Sequence, residues 1–216
     1  MNKSLLIPYI PELDTFSLEN TSTFLEEKGA RISIDSLLNA GEYPYHPLTV
    51  VNIAHTDKAL FIDFFVRSNY LRAVNSANNT PVWEDSSISF LIQPNDSEAY
   101  HQFHFNCIGT INASTVTPEA TTEQFSDEDI ARIEVLCSCG NKPFRELEGL
   151  FTWNVLVKLP LGMIGIDYKG TPVLAKGNFC KSASATSQPH FLTWNRATHS
   201  EPIFYKPSSF GDIIFG

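Results

Sequence analysis

The chain has 216 residues, enough for one large β domain or two small ones, and no Gly/Ser- or Pro-rich linker divides it, so a single domain over 1–216 is expected. With 16 Phe, 7 Tyr and 3 Trp against 2 Met, the composition favours sheets over a helix bundle. A net charge of -9 argues against the basic surface that nucleic acid or an anionic membrane would need.

At the N-terminus one Lys precedes a short apolar run that Pro8 and Pro11 interrupt. That run is too short for the apolar region of an export signal, and no run reaches a membrane span, so a cytoplasmic location is expected. Cys107, Cys137, Cys139 and Cys180 are then expected to be reduced, forming neither disulfide nor zinc site. Residues 1–30 have no sustained period; within this N-terminal extension, 24–30 reads as a short helix closed by Gly29 or as a loop. Strands follow at 31–34, 49–54 and 59–66, the last two forming a hairpin. Residues 60–66 are apolar at nearly every position, which predicts a central strand covered on both faces. Residues 67–82 read as a long loop.

The stretch 80–94 starts as a turn, at Pro81, and ends as a strand over 87–92, with Trp83 at the strand mouth among polar neighbours. Such a ring is either a core plug or a platform for a ligand. Asn95-Asp96-Ser97 turns the chain into a partner strand over 100–108. There Phe103, Phe105 and Cys107 share one face, and Gln102, His104 and Asn106 the other. Ser126 with three following acids reads as a capped short helix. Strands at 151–159, 172–181, 189–194 and 210–215 complete the chain. Many short strands at regular spacing predict an all-β sandwich of two packed, mostly antiparallel sheets.

Catalytic motifs are missing: there is no Gly-x-Ser-x-Gly elbow, phosphate loop or dinucleotide fingerprint. His101 and His104 fall on opposite faces of their strand and cannot share an ion. Asp127-Glu128-Asp129 and Glu84-Asp85 are candidate oxygen clusters for a structural calcium, although a helix first turn explains the former without an ion. A glycosidase would need two carboxylates about 5–9 Å apart, which the sequence does not place; Asp63 is the one acid inside an aromatic-rich strand. Cys107 on the apolar face reads as an inert buried thiol. What remains is aromatic and polar. Trp83, Trp194, Phe204 and Tyr205 lie in polar loop sequence, and Gln102, His104 and Asn106 line a strand face, a combination that suits the apolar faces and hydroxyl rim of a pyranose. Trp194 directly follows Phe191-Leu192 and reads as a core residue.

The run Trp83-Glu84-Asp85-Ser86-Ser87-Ile88-Ser89-Phe90 resembles the Trp-Glu segment of family 9 carbohydrate-binding modules. Gln102-Phe103-His104-Phe105-Asn106, Leu192-Thr193-Trp194-Asn195 and the segment from Phe204 to Gly211 are similar to further family segments, in the same order. The resemblance implies an immunoglobulin-like β-sandwich that binds a saccharide without catalysis, in a family often joined to xylanases and related glycoside hydrolases. It implies that Trp83 is one of two rings holding the sugar and that Phe204 stands where the second is a tryptophan. Ser89 occupies the position of the family's binding glutamate and His104 that of its binding arginine. Both charged partners are thus replaced by neutral groups, and charge-assisted bonds are roughly twice as strong as neutral ones. Weak binding follows, to plant-type polysaccharide fragments or sugar chain ends, through Trp83, Phe204, His104, Gln102, Asn106 and Ser89. Two rivals remain: a carbohydrate-active enzyme of glycoside-hydrolase type, and an interaction module whose sugar site has decayed.

Overall fold

The computed structural model describes residues 2–119, 121–196 and 206–216. Fourteen strands and two α-helices occur among them: β1 (Ser4–Ile7), α1 (Thr21–Lys28), β2 (Ala30–Ser33), β3 (Ser36–Leu37), β4 (Leu48–His55), β5 (Ala59–Ala73), β6 (Ser87–Pro94), β7 (Tyr100–Asn106), β8 (Ile111–Val116), β9 (Thr122–Gln124), α2 (Asp127–Ile130), β10 (Glu134–Cys137), β11 (Phe144–Pro160), β12 (Val173–Ser182), β13 (Phe191–Thr193) and β14 (Gly211–Phe215). They make two packed sheets, as the period-two pattern predicts. The larger sheet runs β1-β14-β12-β6-β7-β8-β9, with β13 and β3 continuing from β12. β12 pairs with β14 along 173–177 and with β13 along 180–182, so one strand edge serves two neighbours. The smaller sheet runs β10-β11-β5-β4-β2 and is antiparallel throughout.

Strand alternation fixes what lies between the sheets. Leu60, Ile62, Phe64 and Val66 of β5 meet Ile88, Phe90 and Ile92 of β6 and Phe103 and Phe105 of β7 in one core. β5 is the middle strand of its sheet, and its other face is also covered: Phe61 packs with Leu13 and Leu25 from the N-terminal segment. Residues 4–28 therefore have defined roles. β1 adds a parallel strand beside β14, and a 3-10 helix at Pro11–Thr15 with α1 roofs the smaller sheet.

The region 67–82 differs from expectation. β5 continues to Ala73 and pairs with β11, which itself begins at Phe144. Arg67, Asn69 and Tyr70 look like loop because this end of the strand is half-exposed, and its pairing partner lies more than 70 residues away. Trp194 is a core residue, 3% exposed, against Phe179. Gly211 makes room for it, since a Cβ there would lie 2.7 Å from the indole.

Candidate functional site

The outer face of the larger sheet carries a row of uncharged side chains set by register. Thr193 of β13 pairs with Cys180 of β12, Cys180 with Ser89 of β6, Ser89 with His104 of β7, and His104 with Asn112 of β8. All five are buried. Ser89 Oγ and His104 Nδ1 are 2.8 Å apart. A second row, Asn178, Leu91, Gln102 and Ser114, lies two residues along each strand. Gln102 is partly exposed and its Nε2 donates to Ser114 Oγ at 2.8 Å.

Trp83 sits at the end of this face on a single 3-10 turn, Val82–Glu84. Pro81 starts the turn, its ring fixing φ at a value the turn accepts. Both flanks are tied down. Asn112 Nδ2 donates to Thr80 O at 3.0 Å, and the backbone amides of Ser184 and Ala185 donate to Trp83 O and Glu84 O at 3.1 and 3.0 Å. The Trp83 ring meets the His104 ring edge-on, with centroids 5.6 Å apart and planes at 71°. Trp83 remains partly exposed, whereas Trp153 and Trp194 are buried.

Beneath the turn lies a buried carboxylate. Asp85 accepts from the amides of Val74 and Asn75 at 3.0 and 2.9 Å and from Asn106 Nδ2 at 3.1 Å, and Arg72 Nε lies 3.3 Å away. Asn106 completes the scaffold: Nδ2 also donates to Asn75 O at 2.7 Å, and Oδ1 accepts from the amides of Ile108 and Thr110. Asn79 holds the loop before the turn in a left-handed conformation, φ 60°, which asparagine tolerates better than most residues.

Within the described residues the predicted site residues divide into three groups. Trp83 offers a partly exposed ring, and Gln102 a partly exposed amide farther along the sheet. Ser89 and His104 lie behind Trp83, 0% and 1% exposed, and buttress the ring rather than form an open rim. Asn106 is not a rim residue: all its amide capacity goes to the Asp85 turn and the 106–110 turn. Alternation correctly gives its face but not its exposure. Phe204 and Tyr205 lie outside the described residues. Asp85, which the sequence offers only as a candidate calcium ligand, and Asn112, which it does not single out, tie down the Trp83 turn. For Asn112 and Ser114 the available signal was the period-two polar alternation of β8.

Burial pushes the His104 imidazole down to about 4, so the ring is neutral at neutral pH. Asp85 is committed to its amides and Arg72, and Asp129 is bonded to the Ser126 cap of α2. Among the described residues no group of three or more His, Cys, Asp or Glu is placed to hold a metal ion. Asp63 lies on the outer face of the smaller sheet, bonded to Ser22 of α1, and burial raises its carboxyl above the usual range.

A family model described as carbohydrate-binding family 9 matches residues 20–215. No curated protein matches the chain. Among solved structures, a protein of Bacteroides uniformis ATCC 8492 described as carbohydrate-binding is 26% identical, covers 100% of both chains and superposes with a TM-score of 0.92. A family 9 carbohydrate-binding module of Caldicellulosiruptor kristjanssonii in complex with glucose is 15% identical, with coverage of 99% of this chain and 96% of that one and a TM-score of 0.59. The same organism's module in complex with cellotriose is 14% identical, with coverage of 99% and 93% and a TM-score of 0.60. At these identities the two modules establish likeness of fold.

Proposed function

The chain belongs to carbohydrate-binding family 9, and we propose that it binds a neutral saccharide, a plant-type polysaccharide fragment or sugar chain end, with Trp83 as the stacking platform. The observation that carries this reading is the Trp83 ring itself. It is partly exposed, clamped at both flanks and buttressed by His104, at the end of an uncharged polar face. A core plug needs no such open face. A pyranose stacked on the ring would bury its apolar face, as aromatic rings do for other apolar surfaces. Gln102 is a hydrogen-bonding group still partly open on this side, and Phe204 is the second ring that the family pattern supplies.

The neutrality of the face has a consequence for the ligand. Ser89, His104, Asn112, Gln102 and Ser114 bring no charge beside Trp83, and Lys176 on the same face lies two register rows beyond Cys180, so an acidic sugar on the ring would gain no counter-charge from this row. Without charge-assisted bonds the affinity is modest, sub-millimolar at best.

Calorimetry with glucose, xylose and short β-linked oligosaccharides tests this. Saturable binding to wild type, lost in a folded Trp83→Ala protein, is the expected result. Absence of binding across the panel, together with unfolding of Trp83→Ala, would make Trp83 a plug and overturn the reading.

A further inference from the structure

The N-terminal roof does not cover the whole outer face of the smaller sheet. Beside it lies a cleft of about 300 Å³, lined by Ser22 of α1, Asp63 of β5, Asn154 and Leu156 of β11, and Leu136 and Ser138 at the end of β10. None of these residues belongs to the Trp83 site. Register explains the lining. Asp63 pairs with Asn52 of β4 and with Leu156 of β11, and Leu156 pairs with Leu136, so these four side chains form one row on one face.

Two members of the row carry an unmet acceptor. Asp63 is 3% exposed; its Oδ2 accepts from Ser22 Oγ, and its Oδ1 has no hydrogen-bond partner. Asn52 is equally buried, and its Oδ1 is unpartnered too. Among the described residues no Lys, Arg or His forms a salt bridge with Asp63. Burial and the negative charge of Glu26 raise its carboxyl above the usual range. A buried charge without a partner weakens a fold. The rest of the row is apolar, with Leu156 buried and Leu136 40% exposed. An ammonium group brings three donors, no acceptor and the missing positive charge, and an alkyl chain on it would cover the two leucines. A metal ion fits less well: among the described residues no group of three or more His, Cys, Asp or Glu is placed to hold one. Ligand clefts usually measure about 300–1,000 Å³, so the chain is short.

We propose that this cleft is a second ligand site, which binds a small primary amine as its ammonium ion, with the nitrogen on Asp63 and the alkyl chain against Leu136 and Leu156. The ligand supplies the counter-charge that the protein itself withholds from Asp63.

The site is independent of saccharide binding and is tested without a sugar. Isotopically labelled protein is titrated at pH 7 with n-pentylamine, and separately with n-pentanol and with calcium chloride, while the backbone amide signals are followed. The amine should shift Ser22, Asp63, Ser138 and Asn154 saturably and leave the Trp83 indole in place. The alcohol, which keeps the chain and lacks the charge, should not saturate, and neither should calcium. Asp63→Asn keeps the side-chain shape and removes the charge; it should weaken amine binding by about tenfold or more, the size of a charge-assisted hydrogen bond. No saturable shift at these residues, an equal response to the alcohol, or equal affinity in Asp63→Asn would overturn the proposal. Saturation by calcium at the same residues would make the cleft a metal site and overturn it as well. The wild-type comparison of amine with alcohol gives the answer even if the variant fails to fold.

Discussion

The outer faces of the two sheets are built from the same strand alternation but put to different use. On the smaller sheet, Phe61, Ala54 and Leu156 are roofed by Leu13 and Leu25 as a second small core, beside buried Asn52 and Asp63. On the larger sheet, the corresponding face has an apolar patch of Leu38, Leu91, Tyr100, Val116, Cys180 and Phe210, and beside it Thr193, Ser89, His104 and Asn112, buried but polar, in a row that ends at a partly exposed indole. Each polar group there needs a partner, because an unmade buried hydrogen bond costs about 1–3 kcal/mol. Ser89 with His104, Gln102 with Ser114, and Asn112 with Thr80 O meet that demand, whereas Thr193 Oγ1 does not. An apolar roof would have been the simpler way to stabilise the sheet. The polar row that ends at Trp83 is the part of this face that the proposed saccharide site uses.

Substitutions that act on one face alone can break this division. The largest expected effect is on the roofed face. Phe61→Ala should cost about 3–5 kcal/mol in urea unfolding, as large-to-small core changes do, and leave saccharide affinity unchanged in the folded fraction.

Next is the response to acid on the polar face. His104 is depressed from 6.5 to about 4, so the unfolded chain binds the proton more readily than the folded one. Its contribution to stability is present above pH 6.5 and is lost as pH falls toward about 4. The loss is on the order of 3 kcal/mol for a shift of this size. Unfolding curves of wild type and His104→Gln across that window isolate the effect from that of His190, which burial also depresses. Equal pH slopes in the two proteins would show that His104 is not held neutral.

Trp83→Ala comes third: saccharide affinity should fall by about 30-fold, corresponding to roughly 2 kcal/mol, while stability changes less than in Phe61→Ala. The smallest effect has the opposite sign. Burial raises the Asp63 carboxyl, so the folded chain holds its proton more tightly, and stability falls as pH rises through that range. Asp63→Asn should therefore shift the urea midpoint slightly upward at neutral pH, while Ser89→Ala, which strips the His104 partner, should shift it downward.

How much of this division the sequence discloses depends on how local the cause is. The run 60–66, apolar everywhere but Asp63, announces a central strand covered on both faces, and it is one. The Ser126 cap is equally local: its hydroxyl accepts from Asp129 N at 3.1 Å. Trp194 follows two apolar residues and is core. The far end of β5 is not legible, because Ser68, Tyr70, Leu71 and Ala73 become strand by pairing with β11. The site shows the same limit. Trp83 stands out by type and neighbours, but Asp85, which organises the turn under it, draws its partners from residues 72, 74, 75 and 106. Asn106 reads as a ligand group because alternation assigns a side chain to a face, whereas occupancy by a turn of the same face depends on contacts that no period reveals.

The central claim, that Trp83 is the platform of the polar face, is tested most directly by the three indole N–H signals of isotopically labelled protein. Titration with glucose and cellotriose should move the Trp83 signal saturably and leave those of Trp153 and Trp194, 0% and 3% exposed, in place. A titration in which Trp83 stays fixed, or in which all three move together, would contradict it.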